Sequence, residues 1–249
     1  MTTARFSPHL EILPAAQRRL WPELAQSAQC GFVLYGGTAT ALRLGHRQSI
    51  DFDFFSHLPL NREEMKEAFP FIKISRPIQD DMVEGNAVTY LVPYGRTDLE
   101  HVKVSFFGNI GMGRVGSPQM TEDGVLQVAS IEDLMITKVK VIFQRAELKD
   151  YLDISRMLQS GASLPHALAG ARLLYGSAFS PSECLRALTY YKDGDLNKIS
   201  ATDKVTLTAL ARQTAASLGD LPNVEIRSLD LFDRSLLLKD EERPVRPSF

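Results

Sequence analysis

Apolar and polar positions change rhythm twice along the chain. Residues 14–29 carry Leu20, Leu24 and Ala25 at helical spacing, with Pro22 as a kink point. Phe32-Val-Leu-Tyr35 is a short apolar run that stops at Gly36-Gly37, the pattern of a buried strand. Thr38 to Leu44 has helix formers, Thr38 as a plausible cap and Gly45 as a stop. Residues 49–55 alternate as a second strand, and 61–69 form a charged amphipathic helix with Asn61 as N-cap and Glu64 three positions on. The next stretch reads as β: 71–75, 87–92, 102–107 and 125–128, broken by Pro, Gly and Asp. After Ser130 the rhythm is helical, over 130–145, 147–160, 164–175, 182–191 and 202–218, and from Arg227 a docked helix with a loose, Pro-rich end is expected. A mixed first half and a helical second half predict an α+β protein. The expected division is a sheet module over 1–128 and a helical subdomain over 129–249.

Composition narrows the class. The 249 residues are 44% hydrophobic and 23% charged, with a formal net charge of −2. That is ordinary globular composition, with length for about 1.7 units of ~150 residues. Near-neutral charge argues against general DNA binding, which draws on a basic excess, but leaves room for a local basic pocket. Cys30 and Cys184 are too few for a disulfide framework or a thiolate zinc site and read as small buried residues. No apolar run approaches the ~20 residues of a membrane span, and the first eight residues have no signal-like apolar stretch. A soluble, cytoplasmic protein with no membrane contact is expected.

The chemistry concentrates between Leu34 and Phe55. Asp51 and Asp53 lie two apart on a predicted strand, so both point to one face, ~7 Å apart along the chain, with Ile50, Phe52 and Phe54 on the other. Converging carboxylates of this kind hold hard divalent cations such as Mg²⁺ or Mn²⁺. Asp is depleted in strands, so two within three residues are unusual for a merely solvated face. Gly36-Gly37 follows a buried strand and precedes a helix, where backbone N–H groups and the helix dipole favour phosphate. Ser49 shares the face of the Asp pair and can reach the same phosphates. A phosphate cradle and a metal-binding pair on neighbouring strands make the layout for metal-assisted phosphoryl or nucleotidyl transfer.

At about 100° per residue, Ile131, Leu134, Met135, Val139, Val141 and Ile142 define an apolar arc with Lys138 near its middle and Asp133, Lys140 and Gln144 opposite. A central Lys needs an acidic or phosphate partner, unless it snorkels from the arc's edge. Arg145 shares its face. On the following helix Asp150 lies near the apolar side and Asp153 at its margin. Pairing of Lys138 or Arg145 with Asp150 would satisfy both structurally, so structural and functional roles are both open.

The run Gly-Gly-x(13)-Asp-x-Asp resembles the nucleotidyltransferase superfamily whose fold is shared with polymerase β. The wording from Leu34 to Phe55 resembles the AbiEii/AbiGii abortive-infection toxins, toxins of two-component toxin–antitoxin systems. The resemblance covers roughly residues 30–160 and includes a Lys-bearing helix (Lys138 to Arg145) and the later Lys149-Asp150-Tyr-Leu-Asp153. It implies a polymerase-β-like core, a mixed sheet with flanking helices followed by a helical subdomain. It also implies an NTP substrate, Mg²⁺ on Asp51 and Asp53, and phosphate contacts from Gly36, Gly37, Thr38, Ser49, Lys138, Arg145 and Lys149. Asp150 or Asp153 would orient Lys138. The acceptor would be a tRNA or protein hydroxyl, and the protein partner a cognate antitoxin. One position departs: where the superfamily carries a third carboxylate on a later strand, His101 to Phe107 offers Ser105, which cannot serve as a comparable base. A non-catalytic nucleotide-binding protein is therefore a rival. A small-molecule adenylyltransferase is a second rival, sharing only the first motif.

Other signals are weaker. Gly111-Met-Gly113-Arg-Val-Gly116 matches the dinucleotide fingerprint but runs into Ser117-Pro118, so a flexible turn is expected. His46 lies between the glycine pair and the Asp pair; its Gly45 and Arg47 neighbours favour a surface loop. Tyr190-Tyr191 is expected in the core.

Overall fold

A computed structural model describes residues 5–80, 85–93 and 101–237. Its centre is the unit predicted around the glycine pair: β2 (Val33–Tyr35), α2 (Gly36–Leu44) and β3 (Asp51–Phe55). β2 and β3 are antiparallel neighbours, although a helix joins them. Among the described residues they sit in an eight-stranded mixed sheet of order β1-β7-β8-β2-β3-β6-β5-β4. Here β1 is Arg5–Phe6, β4 Arg76–Asp80, β5 Ala87–Pro93, β6 His101–Phe107, β7 Gln119–Thr121 and β8 Gln127–Val128.

β6 runs parallel to β3 with Asp51 opposite Lys103 and Asp53 opposite Ser105. Alternation then sorts the faces. Phe52, Phe54 and Phe106 turn inward and are fully buried with Phe32 and Phe69; the Phe106 ring lies 5.0–5.3 Å from those of Phe32, Phe54 and Phe69. Such an aromatic cluster holds the two central strands rigidly in register and so fixes what the opposite face presents.

The later helices are α4 (Ile131–Ile142), α5 (Leu148–Gln159), α6 (Leu164–Tyr175), α7 (Pro181–Thr189) and α8 (Ala201–Ala216). α4 opens on the predicted Ser130 cap, whose hydroxyl accepts the Asp133 N–H. α4 and α5 both pack against α2, which brings their polar residues over the Asp face. Between β3 and β4 lies α3 (Arg62–Ala68), capped by Asn61 as expected. The α+β class is as predicted.

Several local expectations change. Residues 71–75 are a 3₁₀ helix, Pro70–Ile74, not a strand: Pro at the first position favours a helical turn, and the edge strand forms after it. The first helix, α1 (Ala15–Leu20), passes into a 3₁₀ run over Trp21–Ser27, with Pro22 near the join. α2 starts at Gly36, so Thr38 is inside the helix and is no cap. Ile50 precedes β3 and is 58% exposed, so it does not share the core face of Phe52 and Phe54. Asp133 is buried, because its carboxylate accepts the Ser130 hydroxyl and the N–H groups of Val115 and Gly116. Those bonds anchor the turn at 111–116. Arg114 adds bonds to the carbonyls of Gly116 and Asp230, so the turn is pinned, and no helix opens after it. The C-terminal segment docks as extended chain through Ser228 and Asp233 and ends in a short 3₁₀ turn, Arg234–Leu236, in place of the expected helix. The Pro-rich end lies outside the described residues. Cys184 is buried and Cys30 half-buried, both as free thiols. Tyr191 is partly buried against Tyr151, whereas Tyr190 is exposed. Among the described residues no helix is long and apolar enough to cross a membrane.

Candidate active site

Three segments converge on the Asp face of β3. The first is the start of α2. Gly36 has φ +73°, and a Cβ there would lie 2.6 Å from Asp53 Oδ2. A Cβ on Gly37 would lie 2.5 Å from an Arg47 guanidinium nitrogen. Both glycines therefore permit the helix N-terminus to touch the carboxylate and the guanidinium. The Thr38 hydroxyl bonds the Ser49 hydroxyl (2.7 Å) and the Asp51 carbonyl, tying α2 to the chain entering β3.

The second segment is the strand pair. Lys103 Nζ reaches Asp51 Oδ2 at 3.4 Å. Asp53 is held above the usual carboxylate range, first by burial and then by the Asp51 charge; Lys103, Ser105 and Lys138 offset this only in part. Ser105 is buried beside it and accepts a hydrogen bond from Thr89 (3.1 Å).

The third is an ionic cluster between α4 and α5. Lys138 Nζ contacts Asp150 Oδ1 at 2.7 Å and Asp153 Oδ2 at 2.6 Å. Arg145 Nε donates to Asp150 Oδ2 at 3.0 Å. Arg47 grips Asp153 in a fork, Nε to Oδ1 at 2.6 Å and Nη2 to Oδ2 at 2.8 Å, and His46 Nε2 lies 2.8 Å from Oδ1. Asp150 and Asp153 are both 0% exposed. Burial would raise the Asp153 carboxyl, but the His46 and Arg47 hydrogen bonds and the Lys138 charge outweigh it and hold it well below the usual range.

Together these segments line a polar cleft of about 430 Å³. Arg47, Lys103, Lys138, Arg145 and Lys149 border it, facing Asp51 and Asp53. Every sequence-predicted site residue is in or directly behind this cleft. Two of the readings change in kind. Asp153 is not marginal but fully buried, because Arg47 and His46 arrive from another segment to cover it. The His46 side chain is correspondingly covered, 3% exposed, although the residue lies in the loop between α2 and β3. Arg47 was missed, although a signal existed: Asp53, Asp51, Ser49 and Arg47 share parity, and all four face the cleft.

Residues 20–241 match the family described as nucleotidyl transferase AbiEii toxin, type IV toxin–antitoxin system. The chain belongs to the AbiEii family. An uncharacterised protein of Aquifex aeolicus is 30% identical over 148 residues, covering 57% of this chain and 65% of that relative's length. A solved structure from H. pylori, described as a candidate nucleotidyltransferase, superposes with a TM-score of 0.52 at 20% identity. It covers 86% of this chain and 96% of the other, and it supports the fold alone.

In this AbiEii chain the donor set suits a divalent cation of the Mg²⁺ type. Asp53 is a desolvated carboxylate beside a second carboxylate, an arrangement that a hard cation relieves. Among the described residues no group of three or more His, Cys, Asp or Glu side chains forms a metal cage. Two carboxylates with the remaining positions left to water and phosphate match the way Mg²⁺ is usually held with nucleotides. Among the described residues, the β6 position in register with Asp53 is Ser105 and not a carboxylate.

Gly36→Ala is expected to lower activity at least about tenfold and to cost about 1–2 kcal/mol of stability, because φ +73° is strained for any residue with a Cβ. The added Cβ displaces the Asp53 carboxylate, and misplacement of about 1 Å at a reacting centre can cost about 100-fold. Steady-state rates beside a melting curve check this.

Proposed function

We propose that this protein transfers a nucleotide from an NTP to an acceptor hydroxyl in a Mg²⁺-dependent reaction, as the toxin of a toxin–antitoxin pair. The observation that carries the reading is the cleft itself: two carboxylates on one strand face a wall of basic side chains at a glycine-initiated helix N-terminus. Asp51 and Asp53 would hold the cation. When bound there, the cation neutralises phosphate charge and polarises the α-phosphate. Gly36, Gly37 and Thr38, with Ser49, would receive the phosphates at the helix N-terminus. Lys138, Arg145 and Lys149 would neutralise them, with Asp150 and Asp153 orienting Lys138. In the reaction the acceptor oxygen bonds to the α-phosphorus, the bond to the β-phosphate oxygen breaks, and pyrophosphate leaves. The sheet part to residue 128 and the helical part from 129 act as one unit in this reading, because Lys138, Arg145, Asp150 and Asp153 come from the latter.

Ser105 favours a second reading, a nucleotide-binding protein without turnover, since the β6 residue in register with Asp53 is a serine and not a carboxylate base. Incubation with each α-labelled NTP, Mg²⁺ and either total RNA or total protein separates the two. Label on an acceptor supports transfer and identifies its class; tight NTP binding with no labelled acceptor favours the binding protein. Growth arrest on expression, relieved by a co-expressed antitoxin, tests the toxin role. Ser105→Asp is expected to leave Mg²⁺-dependent nucleotide binding within about threefold, because the new carboxylate would join Asp53 without removing a ligand. Loss of binding, read by titration calorimetry, would mean that β6 plays another part.

A further inference from the structure

The face that carries Asp51 and Asp53 carries Phe55 and Phe107 one step further along β3 and β6. The Phe55 ring stacks on Tyr35 at 5.0 Å and meets the Phe107 ring edge-on at 5.1 Å. Neither phenylalanine is fully buried, although each could have been covered by α4. Instead a space of about 290 Å³ separates these rings from Thr137, Val141 and Gln144. Gly37, Asp53, Lys138 and Arg145 border both this space and the polar cleft, so the two are lobes of one site that meet at Asp53.

We infer that the aromatic lobe receives the nucleobase of the NTP, an assignment that rests on the nucleotidyl-transfer reading above. A ligand with its phosphates in the polar lobe can place its non-phosphate end beyond Asp53, and the wall it meets there is aromatic. Every base presents a π-face to such a wall, and the volume suits a flat heterocycle but not a polypeptide or a folded RNA arm. The Thr137 hydroxyl donates to the Leu134 carbonyl at 2.8 Å and can only accept from a base edge, whereas the Gln144 amide can both donate and accept. Stacking carries the affinity.

Titration calorimetry with Mg²⁺ and either the four NTPs or inorganic tripolyphosphate tests this. Phe107→Ala is expected to raise the Kd for the best-bound NTP roughly 5- to 100-fold, the range given by loss of one base–aromatic contact. Phe107→Leu keeps the apolar volume and should show the same loss, Phe107→Tyr should restore binding, and tripolyphosphate should bind all four proteins within twofold. An unchanged NTP Kd in Phe107→Ala and Phe107→Leu would overturn the assignment, including the case in which only the KM of the acceptor moves. Parallel loss of tripolyphosphate binding would overturn it too, by placing Phe107 in the integrity of the whole cleft. Failure of the wild-type protein to bind either NTP or tripolyphosphate would instead remove the nucleotidyl-transfer reading beneath it.

Discussion

Asp51→Asn is expected to cut nucleotidyl transfer about 1000-fold or more, a barrier increase of roughly 4 kcal/mol, while the fold survives. The asymmetry follows from what each carboxylate of the cleft is doing. Asp150 and Asp153 are fully buried and already neutralised by Lys138, Arg47 and Arg145, so neither offers an open charge to a cation. Asp51 is 34% exposed and has one long contact, to a Lys103 that is itself 42% exposed. An exposed pair of that kind contributes at most about 1 kcal/mol to stability. Asn keeps the size and removes the charge that a cation and its phosphates require. The melting temperature should therefore move by no more than about 4 °C. Rates of label transfer, measured beside melting curves, give both halves of the prediction. A variant that keeps more than a tenth of wild-type activity would remove Asp51 from the metal-holding role.

Much of this site could be read along the chain because its parts are close in sequence and follow simple periods. Period two places Asp51 with Asp53 and opposes them to Phe52 and Phe54; period 3.6 puts Lys138 inside an apolar arc. What escaped were features made by distant segments meeting. A helical wheel reports a residue's place on its own helix, so Asp153 looks marginal until Arg47 and His46 close over it from 106 and 107 residues away. Asp133 looks solvated for the same reason, since Val115 and Gly116 that cover it belong to a remote turn. Short apolar runs such as 71–75 are ambiguous between strand and helical turn, and Pro70 decides here for the latter. The glycine pair was legible as a special backbone position, but not as part of the helix. The contacts that require it, Asp53 Oδ2 and the Arg47 guanidinium, come from later chain.

The second large effect is on stability. Asp153→Asn is expected to destabilise the protein by about 3–5 kcal/mol, because it strips Arg47 of its carboxylate and leaves Lys138 with Asp150 alone. At roughly 2–4 °C per kcal/mol for a chain of this size, melting should fall by about 10 °C. The new amide would turn an NH₂ group towards donors: Arg47, Lys138 and His46 all direct N–H groups or a ring nitrogen at the Asp153 oxygens. Lys149→Ala, which breaks only the exposed contact to Glu147 at 2.9 Å, is the comparison and should cost no more than about 1 kcal/mol. The Asp153 carboxyl is depressed in the folded protein, so its contribution is complete above the unfolded-state value near 4 and is lost as pH falls through the lower folded value. The gap in melting temperature between wild type and Asp153→Asn should accordingly stay constant from about pH 7 to 5 and narrow only below about pH 4. Arg47→Met beside it completes a cycle. Once the guanidinium is gone, Asp153→Asn has one fewer buried cation to strand, so the double variant should lose less than the two singles combined, by about 1–3 kcal/mol. Simple additivity in that cycle, or a gap that closes already at pH 6, would show that the Arg47–Asp153 fork does not hold α5 to the segment entering β3.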